Sequence, residues 1–159
     1  MAYVGQFDHL IREQDRGRAI RFTRTIAVFA DGLAVCAVPV QGGSPVLQRG
    51  VLSRLLGVGR PAGPAGEQQI RDAAGAMRAA GTAGGFAQAW HGAHAIPFAV
   101  VERIVLARPR QVSRLEIYEE LAGDGGTSQS VYLGDLAPDR VRELLGPLLG
   151  ERLQIDVGT

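Results

Sequence analysis

The residues best suited to chemistry are few. His91 and His94 stand three apart in the run His91-Gly92-Ala93-His94. Two imidazoles at that spacing on a helix can share a metal, but a site needs a third or fourth ligand. The only other histidine is His9, and the nearest acids in sequence are Asp72 and Glu102. No metal site is therefore expected, and the pair reads as surface or hinge histidines. Cys36 is the only cysteine, so it cannot form an internal disulfide. A nucleophilic thiolate needs a nearby base or a helix N-terminus. Cys36 lies between Val35 and Ala37 and reads instead as a small buried hydrophobe. Residues 57–66, with four glycines and Arg60, suggest a phosphate-cradling loop. Two prolines in it cannot donate, and no Lys-Ser/Thr pair follows, so it reads as a linker. Glu116, Glu119 and Glu120 are the densest carboxylates, with Arg114 beside them. Solvated charge on a strand explains them. Ser128 and Ser130 have no evident base. No catalytic residue, metal ligand or cofactor is assigned.

Binding chemistry has more candidates. Arg49, Arg54 and Arg60 sit beside apolar Leu47, Val51, Leu55 and Leu56. Such a segment can lie on an anionic membrane surface, or dock on its own domain through its apolar face. Phe86 and Trp90 lie in an Ala/Gly-rich stretch, 66–95, whose small residues would let another chain approach. Aromatic side chains dominate binding hot spots. The candidate binding residues are thus Arg49, Arg54, Arg60, Phe86, Trp90, His91 and His94.

The chain of 159 residues fits one domain, 1–159. Hydrophobic residues at 46% and charged residues at 21% exclude a disordered chain. The formal net charge of +1 argues against a nucleic-acid partner. All 17 basic residues are Arg, and Lys and Asn are absent, as coding bias in a GC-rich genome would give. The first residues carry neither a basic region nor a long apolar run, so no signal peptide is expected. A cytoplasmic location is the expectation.

The elements that must position these residues follow from patterning. Residues 7–20 are charged with scattered apolar positions, suggesting a short helix or an irregular lead-in. Residues 22–30 and 33–40 are β-rich and flank Asp31-Gly32. That pair predicts a hairpin with a type I′ turn and positive φ at both positions. Residues 46–56 suit a short helix, and 67–80 carry an apolar stripe at Ile70, Ala73, Ala74 and Met77. Strands are expected at 98–107, 112–121 and 129–133, the last with Val131 and Leu133 facing one way. Pro138 opens a helix whose Val141, Leu144, Leu145, Leu148 and Leu149 form one stripe. Pro147 should weaken its last turn. A short closing strand is expected around Leu153 and Ile155.

With 41–95 set aside, what remains is a hairpin, the step Ile96-Pro97-Phe98 running on to Ile104, two meander strands and a Leu-rich helix. This order resembles the bacterial pleckstrin-homology-like and GRAM domains over about two-thirds of the chain. The resemblance implies an α+β fold: a bent antiparallel sheet or open barrel closed by a C-terminal helix. Residues 41–95 would be a helical insertion between strands. It also implies binding or scaffolding rather than catalysis. Family members that bind inositol phosphates do so with basic residues on the first hairpin loop. Taking that loop as Asp31-Gly32, short and acidic, phosphoinositide binding is not expected. The expected function is a non-catalytic interaction module binding a protein partner or itself. The alternative is a module binding a small ligand or an anionic membrane surface.

Overall fold

The computed structural model describes residues 3–15, 22–39, 63–107, 112–123 and 125–156. The fold is α+β. Among the described residues, eight strands form one open, mostly antiparallel sheet with three α-helices. The strands are β1 (Tyr3–Arg12), β2 (Phe22–Phe29), β3 (Gly32–Pro39), β4 (His94–Pro97), β5 (Val101–Ala107), β6 (Ser113–Glu120), β7 (Thr127–Gly134) and β8 (Leu153–Asp156). The helices are α1 (Gly63–Ala80), α2 (Ala83–Ala89) and α3 (Pro138–Leu149). Strand order is β4-β3-β2-β1-β7-β6-β5-β8.

The expected lead-in at 7–20 is wrong in type. Residues 3–12 are a strand, and it is the one that joins the two halves of the sheet. Its first part pairs with β2, and its last residues, Ile11 and Arg12, pair with Leu133 and Tyr132 of β7. The register shifts between Phe7 and Leu10, and His9 takes φ 60. This is a β-bulge: Asp8 and His9 occupy the space opposite Thr25, and the strand bends there. Charged residues at a bulge break the alternation that would have marked the strand.

Bending brings the concave faces of both halves onto one core. Phe7, Leu10, Ile26, Val28, Leu33, Val35 and Ile96 from one half meet Ile104, Leu106, Leu115, Ile117 and Tyr132 from the other. Val141, Leu144, Leu145 and Leu149 of α3 complete this core, as their stripe predicts. Helix α3 runs through Pro147 to Leu149. Beyond it β8 returns parallel to β5, and Arg152 Nη1 donates to the carbonyls of Phe98 (2.8 Å) and Val101 (2.9 Å). On β7 the inward side chain is Tyr132, fully buried, not the expected Val131. Residues 98–100 form a 3-10 turn rather than the start of β5.

The convex face of the first half is also covered. Ala27, Phe29, Ala34 and Cys36 pack against Ala73, Met77, Ala83 and Phe86 of α1 and α2. The small residues of 66–95 thus serve close packing of helix on sheet. The insertion ends before β4, which pairs with β3.

The 22–39 hairpin forms as expected, but its turn is different. Phe29 pairs with Gly32, leaving Ala30-Asp31 as the two turn residues, and none of these has positive φ. Gly32 is needed for another reason: a Cβ there would stand 2.5 Å from the Ile96 carbonyl oxygen of β4. Asp31 anchors three elements. Its carboxylate accepts from the Ala83 N–H at the start of α2 (3.1 Å), and its carbonyl accepts from Phe98 N–H (3.0 Å).

Candidate functional site

Residues directly opposed in an antiparallel pair share a face. That rule places five polar side chains on the concave face. Arg12 opposes Tyr132, Arg24 opposes Leu10, His94 opposes Val35, Glu119 opposes Val101, and Tyr132 also opposes Leu115. Leu10, Val35, Val101, Leu115 and Tyr132 all belong to the main core. Arg12 ends β1, Arg24 lies near the start of β2, His94 starts β4, and Glu119 lies near the end of β6. They therefore gather at one end of the bent sheet, called here the open end. The charges of Arg12, Arg24 and Glu119 act on both Tyr132 and His94.

Depth grades across this group. Tyr132 is fully buried, Arg24 is mostly buried, Arg12 and Glu119 are half-buried, and His94 is exposed at the rim. Hydrogen bonding is incomplete. Among the described residues the Tyr132 hydroxyl and Arg24 Nη1 are buried with no partner. The nearest acid to Arg24 is Asp15, whose oxygen lies 3.9 Å from Nη2, beyond hydrogen-bonding distance. Among the described residues Arg12 makes no ion pair. Leaving a buried polar group unpaired costs about 1–3 kcal/mol, so two on one face call for an explanation. Burial pushes the Tyr132 phenol up from its ordinary value, keeping it a neutral donor. Desolvation, with the Arg12 and Arg24 charges, lowers the His94 pKa, which favours the neutral ring.

Two exposed hydrophobic side chains stand just outside these groups. Phe22 precedes Arg24 by two residues on the same face, with the guanidinium 5.8 Å from its ring centroid. Leu121 follows Glu119 by two residues where β6 ends, and is half exposed.

A second polar seam lies on the convex face under α1. Asp8 accepts from Gln6 Nε2 (2.8 Å) and Thr25 Oγ1 (2.9 Å), and Tyr3 donates to Gln6 (2.6 Å). His9 Nε2 lies 3.4 Å from a Glu67 carboxylate oxygen. Cys36 lies in this layer. Burial, and next the Asp8 charge, push its thiol up to about 11, which holds it protonated and unreactive.

The candidates read from sequence fall apart in space. Phe86 is wholly buried between helix and sheet, and Trp90 stacks on it at 6.0 Å, half-buried. His91 lies in the turn after α2, and His94 begins β4, so the two do not share a helix face. Among the described residues no three His, Cys, Asp or Glu side chains gather as a metal site would need. Arg49, Arg54 and Arg60, with the helix suggested at 46–56, lie outside the described residues. Glu116 pairs with Arg114 (2.7 Å) and accepts from Tyr118 Oη (2.7 Å) on the convex face of the second half. Sequence reasoning missed Arg12, Arg24, Glu119 and Tyr132 as a group. Only the pairing of β1 with both β2 and β7 brings them together. Among the described residues no helix is long and apolar enough to cross a membrane. Compared with known proteins, the chain matches no family model and no curated sequence.

Proposed function

We propose that this chain is a non-catalytic binding module with a pleckstrin-homology-like build, and that it takes a small ligand at the open end. Two features support the build: the strand order β4-β3-β2-β1-β7-β6-β5 and a C-terminal helix packed in the bend. One observation carries the binding reading. Among the described residues, a buried phenol and a buried guanidinium nitrogen share the concave face with no partner for either. Ligand groups routinely satisfy such convergent polar atoms in an otherwise apolar site. NMR titration of the ¹⁵N-labelled protein with small organic acids, phosphate compounds and uncharged analogues tests this. Amide shifts should centre on Arg12, Arg24, His94, Glu119 and Tyr132. Shifts confined to α1 and α2 would count against it.

A protein partner, or a second copy, is the other reading, and one feature favours it. Strand β8 ends the sheet, and among the described residues nothing pairs with its outer edge. An open edge is a template for another strand. Light scattering coupled to size exclusion tests self-association. A monomer at every concentration would remove the second copy as partner.

A further inference from the structure

We propose that the open end holds the carboxylate of a small organic acid, gripped by Arg24, Arg12 and the Tyr132 hydroxyl, with Phe22 and Leu121 against its apolar body. This rests on the open-end reading above and adds the ligand's chemistry.

Donors outnumber acceptors on this face. Arg24 Nη1 and the Tyr132 hydroxyl are buried without a partner, and Arg12 has no ion pair among the described residues. Arg carries only donors, and a neutral phenol can donate. The missing component is therefore an acceptor, and charge-assisted bonds from guanidinium to an oxyanion are the strongest such contacts.

The charge of that acceptor is limited. Glu119 sits on the same face, and Asp15 is 3.9 Å from Arg24. Two guanidinium groups are already balanced by two carboxylates, so the ligand's charge must be small: one negative charge, held by hydrogen bonds from the unpartnered donors. A doubly charged phosphate would add a second negative charge to a group of side chains that is already balanced.

The rim sets the rest of the ligand. Phe22 is 45% and Leu121 50% exposed, among the few large hydrophobic side chains left in water. Phe22 continues the face that carries Arg24, and Leu121 follows directly after β6, two residues beyond Glu119. A carboxylate seated at the floor would point its remaining chain or ring toward them. A short aliphatic or aromatic acid meets both demands, whereas a sugar acid would leave the rim unused.

Octanoate below its micelle concentration is the probe, with 1-octanol and inorganic phosphate as comparisons. Phosphatidylcholine vesicles doped with phosphatidylglycerol present a singly charged headgroup instead. Calorimetry on the intact chain should show octanoate binding and the other three weak or silent. Tyr132→Phe should lower octanoate affinity roughly tenfold, and Arg24→Gln or Arg12→Gln roughly tenfold to a hundredfold. Tyr132→Phe should melt no lower than the parent, because it deletes an unpaired buried hydroxyl. That separates a ligand contact from a structural one. Octanol binding as tightly as octanoate would overturn the carboxylate assignment, as would tighter binding of phosphate or vesicles. Full octanoate affinity in Tyr132→Phe would remove the phenol from the site. Amide shifts at the open end from a phosphate compound or an uncharged analogue, with none from any carboxylate, would defeat the carboxylate and leave the open-end reading standing. Shifts nowhere near the open end with any probe would defeat both.

Discussion

Gly32 separates two explanations of one residue. If the Asp31-Gly32 step were a type I′ turn, Gly32 would be there for its positive φ, and Asn would be a tolerable replacement. The structure gives it ordinary φ and a different reason. A Cβ at Gly32 would stand 2.5 Å from the Ile96 carbonyl oxygen and 2.9 Å from Pro97 Cα. The first distance is roughly 1 Å short of ordinary contact. Both obstacles are backbone, which cannot rotate aside as a side chain can. Strand β4 would have to retreat, weakening the pairs Gly32↔Pro97 and Leu33↔Ile96. Overpacking of this kind costs about 1–3 kcal/mol. Gly32→Ala and Gly32→Asn should therefore both lose that amount in urea unfolding. Gly75→Ala is the control. Nothing lies within 4 Å of a Cβ there, and the site is inside α1. It should gain about 0.5–1 kcal/mol from helix propensity. Near-parental stability of Gly32→Asn beside a weakened Gly32→Ala would refute the steric account and restore the turn account.

Phe86→Ala should cost about 3–5 kcal/mol, because Phe86 is wholly buried between Phe29 and Trp90. Trp90 fluorescence reports it: red-shifted emission in the native baseline would accompany the lost stacking partner. Asp31→Ala should cost about 1 kcal/mol by removing the side-chain acceptor of Ala83 N–H at the start of α2, as a lost cap does, measured by thermal unfolding. Cys36 gives a pH prediction. Its thiol rises from 9.0 to about 11 in the folded chain, so the folded state prefers the neutral thiol. The stabilisation is complete below pH 9 and is lost as pH rises from 9 towards about 11. Tyr3 and Tyr132 are shifted in the same direction, so they add to the alkaline loss. Cys36→Ala should flatten the stability curve in that window, and an unchanged slope would show the thiol is not coupled to folding.

The parts of the fold that were legible in sequence have one periodicity and one environment. The α3 stripe, the β2–β3 hairpin and the alternating β6 strand each show a clean 3.6 or 2.0 repeat. The union of the stretches before residue 41 and after residue 95 into one bent layer follows from them. β1 was illegible because it serves two sheets. Its bulge puts Asp8 and His9 side by side, and both face the helix layer, where Thr25 and Glu67 meet them. Alternation fails over those residues, and charge hides a strand. In the sequence a β-branched aliphatic such as Val131 looks more like core than a phenol. The core instead took the larger ring and left its hydroxyl unpaired.

The illegible strand and the missed site are the same problem. Arg12 and Arg24 are twelve residues apart, and each looks like an ordinary surface cation in the sequence. Arg24 shares the face of Ile26 on β2, and Arg12 joins it only because the bulge shifts register: Phe7 opposes Ile26, yet Leu10, three residues on, opposes Arg24, two residues back. Were the same residues a regular strand with no bulge, the odd spacing from Phe7 would turn Leu10 to the other face, and Arg12 with it. The bend at His9 thus aims Leu10 into the core and Arg12 at Tyr132. It also carries β1 from β2 to β7, which sets Arg24 and Tyr132 on one concave surface. Closing the core and assembling the open end depend on one local irregularity. Deleting His9 would take out the bulge's extra residue, leaving Leu10 two after Phe7 with Arg12 still on its face, so the expected loss is the bend that carries β1 from β2 to β7, read as reduced stability in urea unfolding.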